Sequence, residues 1–253
     1  MTPPLPPLTF LQVGAIRFDG RDRIEARLRL QQAQHAAASN PGPARALTHR
    51  SDDEEVYIAQ LIQRAKLLNG PFQRCVVEAV GRLVGAAWNG PVGPDDGDNA
   101  GSGAVGEAGP VVFAGLGGVA VHSAGLKSAE RMREKLLEYA PPHPGGRWPL
   151  CANITDPVRA SVVCQGGAAC MVRVVEWFVG GGGGAGAGGS GLPVVRVKNK
   201  FSGEARVTDG YRDVSLAVLY THGSGLAIVG EIQIHDARLF DLKSKASVHC
   251  ASY

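Results

Sequence analysis

No stretch of this chain approaches the roughly 20 consecutive apolar residues of a membrane-spanning helix, so no membrane partner is expected. The five cysteines (Cys75, Cys151, Cys164, Cys170 and Cys250) form no CxxC pair and no zinc-type spacing. They read as free thiols in buried strands or helices, which suits a reducing compartment. The cytoplasm is the expected location, with an organelle as the alternative. The opening MTPPLPPLTFLQVGAIRFDG has no basic region ahead of its apolar stretch and does not read as a secretory signal. Asp19, Asp22 and Glu25 argue against an organelle transit peptide. Net charge is only +3, too mild to announce a nucleic-acid binder. Two glycine-rich runs lack the GK[ST] of a phosphate-binding loop, and no helix begins at the end of either.

Glycine is abundant, at 35 of 253 residues, and much of it lies in those two runs, so the folded content is smaller than the length suggests. Residues 1–50 are Pro-rich, then polar and Ala-rich, with a helix near residues 22–37, and are expected to pack poorly on the rest. A firmer helix follows Ser51-Asp52, with Glu55 placed as in a capping box and Ile58, Leu61, Ile62, Ala65 and Leu68 on one face. Asn69-Gly70-Pro71 reads as its end. A second helix then carries Phe72, Val76, Val80, Leu83 and Val84 inward, so residues 51–88 are expected to form a helical hairpin. Residues 89–110 and 180–191 read as a flexible insert and an elongated loop.

Residues 111–253 read as one domain. Ser128 caps a helix with Met132, Leu136 and Leu137 on its apolar side. Asp156 precedes the valine-dense strand VRASVVC, and AACMVRVVEWF makes a helix with Met171, Val172, Val175 and Phe178 on one stripe. After residue 120 the order is helix, strand, helix, strand, strand, strand, helix. That order suits a mixed sheet flanked by helices, an α+β (α/β-like) fold. Val214, Leu216, Val218, Leu239 and Leu242 read as core.

The chemistry gathers in the last quarter. In VVRVKNK the side-chain period of two puts Arg196, Lys198 and Lys200 on one face and Val195 and Val197 on the other. In LAIVGEIQI the same rule puts Glu231 beside Gln233 and His235, opposite Ile232 and Ile234. With Tyr211 in GYRD, one face holds three cations, a tyrosine and a carboxylate. Those are the parts a site needs to hold a polyphosphate with a metal ion. Each part also has a plain reading: alternating cations guard a sheet edge, and a lone glutamate on an amphipathic strand is usually solvated.

Taken in order, these strings resemble the synthetase domain of the RelA/SpoT family, the makers of guanosine tetraphosphate, over roughly residues 120–253. The resemblance implies a nucleotidyltransferase-like fold and transfer of pyrophosphate from ATP to the 3′-hydroxyl of a guanine nucleotide. Lys127 is similar to the lysine of the family's first basic motif, Asp156 to its metal-binding aspartate and Lys198 to the lysine of its basic strand. Tyr211 is similar to its guanine-stacking tyrosine, Glu231 opens its EIQI string, and His249 with Tyr253 is similar to its closing His–Tyr pair. By that resemblance Asp156 and Glu231 bind Mg2+ and Glu231 also serves as base. Lys127, Arg196, Lys198, Lys200, Tyr211 and Gln233 bind nucleotide.

There are also departures. Gly125 stands where the family has arginine, Arg131 where it has serine, Ser215 where its GYRxLH string ends in histidine, and His235-Asp236 where it continues Arg-Thr. Arg159 lies two residues nearer Asp156 than the family's arginine does. The His235-Asp236 dipeptide lacks the other histidines of an HD hydrolase, so hydrolysis is not expected. Two alternatives accompany the transferase reading: an inactive nucleotide-binding regulatory module, and pyrophosphate transfer to the 3′ end of an RNA.

Overall fold

The structure, a computed structural model, describes residues 50–86, 109–140, 150–180, 190–202 and 210–250. The expectations for residues 1–49, for most of both glycine-rich runs (87–108 and 181–189), for Tyr253 and for the His249 side chain lie outside the described residues. The chain runs α1 (Arg50–Leu83), β1 (Val111–Phe113), β2 (Val119–Ala124), α2 (Ala129–Tyr139), β3 (Val158–Cys164), α3 (Gly167–Gly180), β4 (Val194–Asn199), β5 (Val214–Thr221), β6 (Ala227–Asp236) and α4 (Ala237–Cys250). The strands form one six-stranded sheet in the order β1-β2-β3-β6-β5-β4. Only β3 and β6 are parallel. The fold is therefore the expected mixed sheet flanked by helices, α+β. Among the described residues no helix is long and apolar enough to cross a membrane.

Period-two patterning divides the sheet into two unlike faces. On one face lie Val158, Ala160, Val162 and Cys164 of β3, Ile232 and Ile234 of β6, and Val214, Leu216 and Val218 of β5, all buried. They pack in one cluster with Ala65, Leu68, Phe72, Val76 and Val80 of α1 and Met171, Val175 and Phe178 of α3. Trp177 Nε1 donates to the Ala79 carbonyl at 3.0 Å and ties the two helices together. The other sheet face carries the polar residues.

The hairpin expected over residues 51–88 is a single 34-residue helix with Pro71 inside it. An interior proline costs about 3 kcal/mol. Leu68, Phe72 and Val76, all within 1% of full burial, lie on both sides of it. At about 1.5–3 kcal/mol for each buried apolar side chain, their common face outweighs the break. Asn69, read as a stop, instead accepts from Gln73 Nε2 at 3.1 Å within the helix. The helix also begins before Asp52, the residue read as its cap. Glu55 grips Arg133 of α2 through two 2.8 Å bonds. Glu54 receives the backbone N–H groups of Leu150 and Cys151.

Strands β1 and β2 are an addition to the sequence expectation. The Ser128 cap of α2 is present, accepting from Arg131 N at 3.3 Å. Two residues read as apolar contacts are exposed: Leu137 at 76% and Leu242 at 63%.

Gly230 marks the tightest approach of the sheet to α1. A Cβ there would stand 2.8 Å from two ring carbons of Phe72 and 2.8 Å from a Val158 methyl. All three residues sit in the sealed core, so the neighbours have nowhere to move. Gly230→Ala is expected to lower unfolding stability by about 1–3 kcal/mol, read as a lower denaturation midpoint at unchanged slope.

Candidate functional site

Register places the polar residues of five strands on the open face. Arg159 of β3 lies opposite Glu231 of β6, Ser161 opposite Gln233, and Val163 opposite His235. Across the next pairing Ala217 faces Glu231 and Ser215 faces Gln233. Beyond that, Arg196 faces Ala217 and Lys198 faces Ser215, with a bulge between Val194 and Arg196. Lys200 continues the row, its N–H donating to the Asp213 carbonyl at 3.0 Å. On the other side His122 of β2 pairs with Ser161. Arg159, Glu231, Ser215, Gln233, the two cations of β4 and Lys200 just past its end therefore share one surface.

Glu231 is held from two sides. Ser215 Oγ donates to one of its oxygens at 2.8 Å and Gln233 Nε2 to the other at 2.8 Å. Each oxygen keeps a second lone pair for a ligand. Its partner across the β5–β6 pairing is the small Ala217, and Ser215 reaches it from two residues along the same strand.

Asp156 lies two residues before β3 and is 9% exposed. Lys127 Nζ bonds its Oδ2 at 2.5 Å, and Lys135 Nζ of α2 stands 3.7 Å from the same oxygen. Burial opposes the charge of this carboxyl. The Lys127 hydrogen bond and the charges of Lys135, Lys127 and Arg159 outweigh that burial and bring it below the ordinary carboxylate range. Its other oxygen, Oδ1, is buried without a hydrogen-bond partner. Arg196 Nη2 donates to Thr155 Oγ1 at 2.7 Å, which brings the segment carrying Asp156 to the basic strand.

Tyr211 follows Gly210, whose φ of +72° permits the sharp entry into β5. Its hydroxyl contacts His235 Nδ1 at 2.5 Å. Two ammonium groups stand over its ring, Lys243 at 4.7 Å from the centroid and Lys200 at 5.3 Å. Lys200 Nζ also lies 3.1–3.2 Å from both oxygens of Asp213, which is 1% exposed. Burial raises the Asp213 carboxyl, against the lowering charge of Lys200. Burial also lowers the Lys243 ammonium, against the raising charge of Asp213.

Of the residues read from sequence, Arg196, Lys198, Lys200, Gln233 and Glu231 share the sheet face, Tyr211 borders it, and Lys127 joins Asp156 beside it. Lys198 is exposed on the edge strand. Sequence reasoning missed Lys135, Asp213 and Lys243, and assigned no role to Arg159 or His235. Lys135 and Lys243 sit on helices, where only the packing of α2 and α4 beside the open face brings them in. Asp213 could have been noticed as an acid inside GYRD that period two aligns with Ser215. Among the described residues no three His, Cys, Asp or Glu side chains gather as a metal-binding group.

His235 sets a pH dependence. It is fully buried, and burial, followed by the charges of Lys243, Lys200 and His122, lowers its pKa to about 3. The unfolded chain protonates this imidazole below about pH 6.5, and the folded chain does not. The unfolded state therefore binds the extra proton, and stability falls as pH drops from about 6.5 toward the folded value, by up to about 1.4 kcal/mol per pH unit. His235→Asn is expected to flatten this slope, so that the stability difference from wild type shrinks in acid. Parallel denaturant titrations at pH 7 and pH 5 measure it.

No family model matches this chain, and no curated protein does. Among solved structures it is similar to a GTP pyrophosphokinase family protein from Streptococcus pneumoniae, at 18% identity and a TM-score of 0.39, covering 53% of this chain and 59% of that one. It is also similar to the small alarmone synthetase 1 from Bacillus subtilis bound to its product pppGpp, at 21% identity and a TM-score of 0.37, covering 52% and 61%. A further structure of that synthetase aligns at 18% identity and a TM-score of 0.35, covering 53% and 62%. The chain thus spans about six-tenths of the length of each. The solved structures it is similar to are GTP pyrophosphokinase and alarmone synthetase proteins, the RelA/SpoT-like group that its sequence motifs resemble, and the similarity is distant.

Proposed function

We propose that this chain transfers the β,γ-pyrophosphate of ATP to the 3′-hydroxyl of a guanine nucleotide. The observation that carries this reading is the single open sheet face on which Glu231 stands among Arg159, Arg196, Lys198 and Lys200, with Tyr211 at its border. In the reaction the 3′-oxygen bonds to the β-phosphorus, the bond from that phosphorus to the α,β-bridging oxygen breaks, and AMP leaves. The hydroxyl proton passes to Glu231. The cations of β4 hold phosphate oxygens as point charges, and Tyr211 offers its ring to the guanine.

A magnesium ion, when bound, neutralises phosphate oxygens, and it is commonly held by one or two carboxylates plus the substrate's own phosphates. Asp156, with its unpartnered Oδ1, and Glu231, with a lone pair left on each oxygen, are the residues suited to it. One observation favours the second reading, a nucleotide-binding module without turnover. Lys127 and Lys135 already approach Asp156 and compete with a cation there.

The test is incubation with labelled ATP and magnesium, offering GDP, GTP and RNA in turn as acceptors. Label on GDP or GTP is the expected outcome, and Glu231→Gln should reduce it by about 10²–10⁴-fold while the fold survives. Label on RNA, with salt-sensitive binding, would replace the guanine nucleotide by RNA as acceptor. Wild type and Glu231→Gln equally silent, yet both binding nucleotide, would leave the binding module standing and remove the enzyme.

A further inference from the structure

Residues 210–213 lie outside regular structure, and β5 begins only at Val214. The Tyr211 hydroxyl meets Nδ1 of His235 at 2.5 Å. His235 belongs to β6, pairs with Val163 of β3 and is fully buried. Its ring packs against Phe240 of α4 at 5.1 Å between centroids, and Phe240 packs in turn against His122 of β2 at 5.1 Å. A strand residue, packed against a helix, therefore carries a polar group that reaches the phenol. The imidazole cannot be a simple packing residue: its Nε2 is already buried without a hydrogen-bond partner, a cost that an apolar side chain would avoid.

Resting on the guanine-nucleotide reading above, we propose that His235 is the positioning residue of the base site: it fixes the Tyr211 ring in advance, so that a guanine base meets an oriented platform. A free tyrosine must be ordered as the base stacks, and a tyrosine already anchored is not. Lys200 and Lys243 over the ring add to the same preparation, because an ammonium held over a π face restrains both partners. The short polar link also explains why a histidine stands at this point of the EIQI strand. An aliphatic residue would fill the space, but it would leave the Tyr211 hydroxyl without this contact.

The experiment is calorimetric titration of GDP into wild type, Tyr211→Ala, Tyr211→Phe, His235→Phe, His235→Asn and the Tyr211→Phe/His235→Phe double variant, with melting temperatures alongside. Tyr211→Ala should show the largest loss. Tyr211→Phe and His235→Phe should each weaken GDP about 3–10-fold, the scale of one hydrogen bond or one immobilised side chain. The double variant should be no weaker than either single, because both remove the same link. His235→Asn, whose amide can stand where Nδ1 was, should recover most of the affinity. Purely structural losses would lower the melting temperature without this coupling to the hydroxyl. Wild-type affinity in His235→Phe, or additive losses in the double variant, would overturn the positioning role while the base site stands. Wild-type affinity in Tyr211→Ala, or no GDP binding by wild type, would overturn both. Should His235→Phe fail to fold, Tyr211→Phe decides alone, since it leaves the imidazole in place: unchanged GDP affinity refutes the proposal and the stated loss supports it.

Discussion

The parallel pairing of β3 with β6 is the constraint on which the rest depends. Its register lays Arg159 beside Glu231 on one face and Ala160 beside Ile232 on the other. Side chains alternate strictly along a strand, so a slip of one residue would exchange the two faces. Glu231 and Gln233 would then enter the core against Phe72, where no partner waits. The sealed side thus enforces the geometry of the open side. Burying the apolar row under α1 and α3 fixes which residues remain free to meet a ligand.

On the open side, charges are arranged against burial rather than simply displayed. The Asp213 carboxyl is pushed up, and the Lys243 ammonium is pushed down, by the same loss of water. Asp156 behaves differently because lysines from two segments reach it, and their hydrogen bond and charge overcome its burial. An arriving polyphosphate would add negative charge beside Lys243 and favour its charged form. Beside Tyr211 two lysines share the one carboxylate of Asp213, whereas Asp156 is approached by Lys127 and Lys135.

Much of this was legible in the sequence, for physical reasons that differ by element. The strands after residue 150 show because valine and isoleucine alternate with charge, and the same alternation placed Glu231, Gln233 and the β4 cations on one face. Strands β1 and β2 did not show. β1 is only three residues long and two alanines dilute the pattern of β2, which pairs along β3 and in turn offers an edge to β1. Asn69-Gly70-Pro71 misled because its local signal is genuine, while the burial that overrides it belongs to a sheet far along the chain. Lys243 and Lys135 were invisible as site residues: a helical lysine looks solvated until one knows which surface its helix crosses.

At the positions where the chain departs from the RelA/SpoT-like strings it resembles, the structure shows what the replacements touch. A site that decays under substitution leaves its former partners unpaired, and each buried orphan costs roughly 1–3 kcal/mol. Here the substituted positions meet local partners, with His235 Nε2 left as an orphan. The Gly125 carbonyl accepts from Arg159, Ser215 donates to Glu231, and His235 meets Tyr211. Asp236 accepts from the backbone and side chain of Arg238. Arg131, the remaining departure, lies on the surface and pairs with Glu134. Three of these contacts end on Arg159, Glu231 or Tyr211, residues of the open face. The changed groups hold the candidate residues in place, and the unpartnered atoms left nearby, Asp156 Oδ1, Arg159 Nε and His235 Nε2, belong to the same site. Arg159, Glu231 and Tyr211 are thus each held by a neighbour on the open face, which lowers the cost of ordering them when a ligand arrives.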